Sequence, residues 1–286
     1  MLVAQIHPFS FNWFIPQMIL AQTPIFPDIY HYGLLLLATA SLHLKGKMKL
    51  LALSSLLLFY PTPVKNPQAP LSIKLVTTHI PQDQKWLPQN QNKIIEQNFH
   101  SIRQAIDKGY DLVVLPESAF PLFLNQRGDL LAKLQNLSHK ITIFTGALYQ
   151  KKDKYYNSSY LFDKGRVQIF NKVILVPFGE EIPLPRPIAR WINEHFFEGS
   201  SDFSAAKKPY TFSIKGARFT NAICYEATHP IIYSTDTPYI IAISNNAWFL
   251  PSIEPTLQWM LLQYYATIFH KTIYHATNMA KTTIIR

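Results

Sequence analysis

One cysteine, Cys224, occurs in 286 residues, so no disulfide can form within the chain. Nine glycines and no fixed period exclude collagen and simple repeat architectures. Charge is scarce: Asp, Glu, Lys and Arg make up 15% of residues against 48% hydrophobic, where a soluble domain carries about 25% charged. That balance excludes disorder as the overall state. There is no Cys/His cluster with metal-ligand spacing and no Gly-rich phosphate loop, so no metal or cofactor is implied. A basic n-region and an A-x-A site are also missing, which argues against a cleaved signal peptide.

The charge that exists is unevenly placed. The formal net charge is +10, yet residues 1–64 carry only Asp28, Lys45, Lys47 and Lys49. Two apolar runs, Gly33–Leu44 and Met48–Tyr60, flank the basic turn formed by Lys45, Lys47 and Lys49. Each is shorter than the roughly 20 residues that span a bilayer. The first extends back through Ile29, Tyr30 and Tyr32, and lysine stems can snorkel at helix ends. Residues 1–64 are therefore expected to form a membrane-associated segment with a helical hairpin, buried core helices being the alternative. By the positive-inside rule its basic turn is cytoplasmic and the rest of the chain lies on the outer, periplasmic side. Residues 7–27 are apolar but broken by Pro16 and Pro24, a pattern suited to an interfacial or re-entrant piece. A chain that begins in apolar sequence suggests that part of a larger membrane domain is missing. No Lys/Arg run interleaved with aromatics occurs, so nucleic acid is not the expected partner.

Pro61, Pro63, Pro67 and Pro70 mark a linker, and residues 65–286 read as a globular α/β domain. Strand periodicity falls on Ser72–Thr78, Asp111–Leu115, Ile141–Leu148, Asn157–Asp163, Val167–Phe170, Ala217–Cys224, Tyr239–Ser244 and Thr272–Thr277. Helical patterns cover Asn90–Lys108, with Ile94, Ile95, Phe99, Ile102 and Ile106 on one face, and Glu254–His270. Lys164-Gly165 forms a turn.

Three side chains stand out against this frame. Cys224 ends a strand where apolar sequence meets Tyr225 and Glu226. Glu117 follows the buried run DLVVL, and Lys172 borders an apolar run that leads to Glu180. Their ordinary readings are a small buried hydrophobe, a strand-end anion and a solvated cation. Together they make a chemical set. A thiol attacks as thiolate, a carboxylate can take its proton, and an ammonium can stabilise an oxyanion. His229, His270 or His275 could replace Glu117 as base, and the residues alone leave that choice open.

At LPESAFPLF with Glu117, YYNSSYLFD, NKVILVPFGEEIP with Lys172 and Glu180, AICYEATHP with Cys224, SNNAWF and HATN, the chain resembles the nitrilase, or carbon–nitrogen hydrolase, superfamily. The resemblance is nearest to its membrane-bound branch, the apolipoprotein N-acyltransferases, and extends to IPQDQKW with Trp86. It covers residues 70–286 well and the N-terminal piece loosely. It implies a nitrilase-like α-β-β-α sandwich with Glu117 as base, Lys172 as oxyanion stabiliser, Cys224 as nucleophile, and Glu180, Tyr225 and Glu226 in support. It also implies an acyl chain passed from a phospholipid, through a Cys224 thioester, to the amine of a diacylated apolipoprotein in the bacterial inner membrane. Trp86, Trp248 and Phe249 are candidates to line an acyl path. Against that branch the chain has fewer apolar helices, stops soon after HATN and carries Leu250 in place of a glycine, so it is expected to be truncated at both ends, with the catalytic domain C-terminally incomplete. The competing readings are a soluble-type amidase or nitrilase and an inactive remnant.

Overall fold

Alternating apolar residues set two sheets face to face. The computed structural model describes residues 15–59, 66–182, 184 and 203–286. In chain order the elements are α1 (Ile29–Ala40), α2 (Gly46–Ser54), β1 (Ile73–Leu75), α3 (Gln82–Lys85), α4 (Pro88–Asp107), β2 (Leu112–Val114), β3 (Phe120–Phe123), α5 (Gly128–Leu137), β4 (Thr142–Lys151), β5 (Lys154–Asp163) and β6 (Arg166–Asn171). Then follow β7 (Thr211–Ile214), β8 (Ala217–Ile223), α6 (Pro230–Tyr233), β9 (Tyr239–Asn245), α7 (Glu254–Ile268), β10 (Thr272–Asn278) and β11 (Thr283–Ile285).

One sheet runs β1-β2-β4-β5-β6 with β3 paired to β4; the other runs β11-β10-β9-β8-β7. The pairs β1–β2, β2–β4, β8–β9 and β9–β10 are parallel. Side chains in a strand alternate between faces, and the core follows that period. Leu112, Val114, Phe144, Ile223, Ile241 and Ile243 meet between the sheets. Val113 and Ile143 face the other way, onto Ile95, Phe99 and Ile102 of α4 and Leu130 and Leu134 of α5. Ile240 and Ala242 face Leu261, Leu262 and Tyr265 of α7. The result is helix, sheet, sheet, helix, as the resemblance implies.

Local chemistry sets the boundaries. Pro88 opens α4, where a missing N–H costs nothing. Gly109, at φ +70, follows its C-terminus. Lys164-Gly165 and Lys215-Gly216 both take positive φ, the geometry of two-residue hairpin turns. The elements expected from periodicity all form, with ends shifted by a few residues. The reading omitted α3, α5, α6, β3, β7 and β11. β11 pairs antiparallel with β10 and covers that strand along Ile273–His275.

The N-terminal piece is divided between two environments. A 3₁₀ segment, Pro16–Gln22, lies on the globular domain, with Ile15 and Met18 packed in the same cluster as α7. The sequence reading had taken residues 7–27 as an interfacial or re-entrant piece. Asp28 caps α1 by accepting from the His31 N–H at 2.8 Å. With their 3₁₀ extensions to His43 and Leu58, α1 and α2 form two arms, and the Ser55 hydroxyl donates to the Leu34 carbonyl across them. No helix among the described residues is long and apolar enough to cross a membrane. The hairpin nevertheless leaves Leu36, Leu37, Leu50, Leu56, Leu57 and Leu58 exposed. Residues 1–14 and 60–65, which include Pro61 and Pro63 of the linker, lie outside the described residues. From residue 66 the linker is fixed: the Asn66 amide donates to the carbonyls of Ala266 and Lys271.

At Gly146 on β4 the backbone of the β2–β3 connection comes very close. An added Cβ would stand 2.5 Å from Ser118 N and 2.7 Å from Glu117 Cα, both main-chain atoms. Gly146→Ala is expected to lower stability by about 1–3 kcal/mol through overpacking. Thermal unfolding of the detergent-solubilised chain measures this, and an unchanged midpoint would mean that the connection yields freely.

Candidate active site

The carboxyl ends of β2, β8 and β9 converge at one edge of the sandwich, the usual ligand side of open α/β sheets. β8 ends at Ile223, and Cys224 turns abruptly into a left-handed conformation, φ 52, before a 3₁₀ turn, Cys224–Thr228. A non-glycine residue holds that conformation only where neighbours enforce it. Glu226 does so. Its carboxylate accepts from the N–H of Ile223 at 2.7 Å and of Val173 at 2.7 Å, tying the Cys224 turn to the loop after Lys172.

Glu117 sits one turn beyond β2 with its neighbour Ser118 at φ 47. One carboxylate oxygen accepts from the Asn157 side-chain amide at 2.7 Å, the other from the Asn245 backbone N–H at 2.7 Å. Its main-chain carbonyl accepts from Lys85 Nζ at 3.0 Å. Lys172 follows β6; its backbone N–H donates to the Asn157 carbonyl at 2.9 Å. Its Nζ donates to Glu180 Oε2 at 2.6 Å. Glu180 also accepts from Val176 N–H at 2.9 Å and from the Asn157 amide at 2.8 Å. Asn157 thus spends both amide protons on two different carboxylates.

Electrostatics follow from burial. Burial pulls Lys172 down, but the neighbouring Glu180, Glu117 and Cys224 more than offset it and hold the ammonium charged. Lys85, equally buried and less well paired, is pulled down to about 8. Burial and the Glu117 charge push the Cys224 thiol well up, against the pull of Lys172. The resting sulfur is therefore a thiol that needs a base at hand. Burial raises Glu226 to about 7, opposed by the N–H groups it accepts from. Glu254, at the start of α7, is raised by burial to about 7.

These side chains open on a cavity of ≈ 370 Å³. Glu117, Asn157, Lys172, Glu180 and Cys224 form its polar floor; Trp86, Leu148, Val176, Phe178, Phe203, Trp248 and Phe249 form an apolar wall. Three of the wall residues reach the surface: Trp86, Phe178 and Trp248, the last 62% exposed. All of Glu117, Lys172, Cys224, Glu180, Trp86, Trp248 and Phe249 thus meet at one place. Tyr225 and Glu226 are buried behind Cys224 rather than on the cavity surface. The histidines weighed as a base lie elsewhere. His229 accepts from Ile231 N–H at the start of α6, His270 is exposed, and His275 is buried against the Ser244 hydroxyl and pulled down to about 4. Asn157 and Lys85 were not singled out from sequence. An asparagine opening the buried run Asn157–Phe162 inside a strand was the available signal for the first.

A thiol, a carboxylate and an ammonium around one apolar-walled cavity on a four-layer sandwich define the class of carbon–nitrogen hydrolases, and comparison with known proteins narrows it. The carbon-nitrogen hydrolase family profile matches residues 81–281, and that of the apolipoprotein N-acyltransferase integral membrane domain matches residues 1–62. The apolipoprotein N-acyltransferase of Wolinella succinogenes is 40% identical over 99% of this chain and 70% of its own length. That of Helicobacter hepaticus is 38% identical over 100% of this chain and 73% of its own. Among solved structures, a CN-hydrolase superfamily protein from Xanthomonas campestris superposes with a TM-score of 0.55 at 17% identity, covering 73% of this chain and 76% of that one. An amidase from Nesterenkonia sp. gives 0.53 at 16%, with the same coverage; both show the fold. The chain belongs to the carbon–nitrogen hydrolase superfamily and, within it, to the apolipoprotein N-acyltransferase family. The soluble amidase alternative is not favoured.

Removing the Asn157 amide leaves the buried Glu117 and the part-buried Glu180 each short of a donor. Asn157→Leu is expected to cost about 3 kcal/mol, read as a fall in the thermal midpoint; a change within experimental scatter would show that other groups satisfy both carboxylates. The raised carboxyls give a pH signature. A carboxyl whose folded value lies above its unfolded one stabilises the fold fully below about pH 4.5, and that contribution is lost as pH rises through about 7. The midpoint is therefore expected to fall between pH 5 and 8, and Glu254→Gln to flatten part of that fall. An equal slope in the variant would remove Glu254 as a source.

Proposed function

We propose that this chain transfers a fatty acyl group from a phospholipid to the N-terminal amine of a diacylglyceryl-cysteine lipoprotein by way of a thioester on Cys224. The observation that carries this reading is the single cavity in which Glu117, Lys172 and Cys224 meet beneath an aromatic rim, in a chain of this family.

Glu117 accepts the thiol proton as Sγ bonds to the ester carbonyl carbon, so no free thiolate has to persist in the dry site. The negative charge that develops on the carbonyl oxygen is stabilised by the Lys172 ammonium, which Glu180 holds in place. The ester C–O bond then breaks and Glu117 returns its proton to the departing lysophospholipid alcohol. In the second half the acceptor amine adds to the thioester carbon and yields a proton to Glu117. The C–S bond breaks, the amide forms, and Glu117 reprotonates the sulfur. Glu226 and Tyr225 keep the Cys224 turn in shape from behind.

The membrane is the natural setting. Trp86, Phe178 and Trp248 give the cavity a greasy lip, and the exposed leucines of the α1–α2 hairpin form a second apolar surface. Aromatic residues of this kind favour the membrane–water boundary. Lys45, Lys47 and Lys49 at the hairpin turn favour the cytoplasmic side, which supports the reading of a cavity that faces the periplasm.

Intact mass of the detergent-purified chain incubated with phospholipid tests the first half-reaction. An acyl-sized gain, removed by hydroxylamine and absent in Cys224→Ala, is the expected outcome. A folded protein that binds lipid and gains no mass would end this reading of Cys224 as the acyl carrier.

A further inference from the structure

Glu117 and Lys172 share a cavity with Cys224, and a second set of buried polar groups that does not line that cavity reaches the same residue. Glu254 and Gln258, four residues apart on α7, share one helix face. Asn246 begins the 3₁₀ turn that follows β9. Its side-chain amide donates one proton to Glu254 Oε2 at 3.1 Å and the other to Gln258 Oε1 at 3.0 Å. With Oε1 taken, the Gln258 amide has a fixed orientation, and its Nε2 stands 3.9 Å from Cys224 Sγ, within reach of a hydrogen bond to sulfur.

Keeping three polar side chains in this place is costly. Glu254, Asn246 and Gln258 are all buried. Glu254 Oε1 and Asn246 Oδ1 find no hydrogen-bond partner among the described residues. Apolar residues of the same size would anchor α7 on β9 without that desolvation cost. The sulfur, in turn, is short of help. Glu117, Glu180 and Glu254 all oppose a negative charge on it, and the ammonium groups of Lys172 and Lys85 favour one.

We propose that Gln258 is a catalytic hydrogen-bond donor to the Cys224 thiolate, and that Glu254 and Asn246 are positioning residues that fix its amide. The proposal rests on the reading of Cys224 as the nucleophile. As the proton leaves for Glu117, charge builds on Sγ, and an N–H already aimed at it requires no reorganisation. When the thioester forms the charge disappears and the bond weakens, so the donor favours thiolate over both thiol and acyl-enzyme. The same bias makes the thiolate a better leaving group in the second half-reaction.

The test is the pH dependence of Cys224 alkylation by iodoacetamide in the full detergent-solubilised chain. It needs no phospholipid and so can fail or succeed independently of acyl transfer, which the mass measurement follows in parallel. Gln258→Met keeps the volume and removes the donor. It is expected to move the inflection up by about one pH unit, a roughly tenfold loss of thiolate at a given lower pH. Glu254→Met, which frees the Asn246 amide, is expected to move it the same way. Glu254→Gln, whose amide oxygen can still accept from Asn246, is expected to stay at or below the parent value because one opposing charge has gone. A purely structural role would lower stability and leave all inflections in place. An unmoved profile in folded Gln258→Met overturns the proposal, as does a Glu254 pair that behaves alike. Should Gln258→Met fail to fold, the Glu254 pair decides.

Discussion

Two carboxylates and an ammonium crowd the floor of one cavity, and one neutral side chain makes that possible. The Asn157 amide donates to Glu117 and Glu180 together, while its main chain fixes Lys172. Two buried anions in this proximity repel each other strongly. A shared donor between them lowers that cost without adding charge, and leaves the Lys172 ammonium directed at Glu180. Glu117 keeps one oxygen on Asn157 and the other on a backbone N–H, so it stays near the sulfur without being neutralised by a salt bridge. A lysine in place of Asn157 would bind both carboxylates more tightly and deprive Glu117 of its basicity.

The fold supplies the geometry around that node. Parallel strands end at the same edge, so residues far apart in sequence arrive together after β2, β6, β8 and β9. Gly146 lets the Glu117 connection press against β4, and the Glu226 carboxylate spans from the Cys224 turn to the Lys172 loop. The two sheets are also tied at this edge. Thr78 N–H donates to the Thr277 carbonyl and the Asn278 amide to the Ile80 carbonyl at 2.8 Å, while within the second sheet the same amide reaches Asn245 Oδ1 at 2.7 Å. Asn245 is the residue whose N–H holds Glu117, so the register between the sheets bears directly on the position of the base.

What could be read from sequence follows the range of the interactions. The period-2 strands and the face of α4 are local patterns and were legible. Cys224, Glu117 and Lys172 were legible as a set because each lies in a distinctive string at an apolar-to-polar boundary. Asn157 and Lys85 lie in two of the resembling strings, YYNSSYLFD and IPQDQKW, but they act on Glu117 across 40 and 32 residues, and that pairing is not a local pattern. The β7 strand, Thr211–Ile214, alternates exposed and buried residues and was passed over all the same. Ile15–Gln22 shows a different limit. A protein interior and a lipid interface are both dry, so composition does not separate them, and only packing on α7 does. The choice among Glu117 and three histidines was likewise a question of place, since His275 is buried and bonded to Ser244 well away from the cavity floor.

Water exclusion links the chemistry to the surroundings. A thioester is useful to a transferase only if the acceptor amine reaches it before water does. Cys224 is 4% exposed, and its cavity wall is almost wholly apolar above the charged floor. The thioester half of the proposed reaction would therefore be shielded by the same aromatic residues that draw an acyl chain in. Desolvation raises the thiol and strengthens every charge interaction with Lys172 and Glu117. A substrate that fills the cavity with hydrocarbon completes that desolvation, whereas a small hydrophilic amide would bring water with it. In this site acyl-chain binding and activation of the sulfur are aspects of one event, which favours a lipid donor over a soluble one.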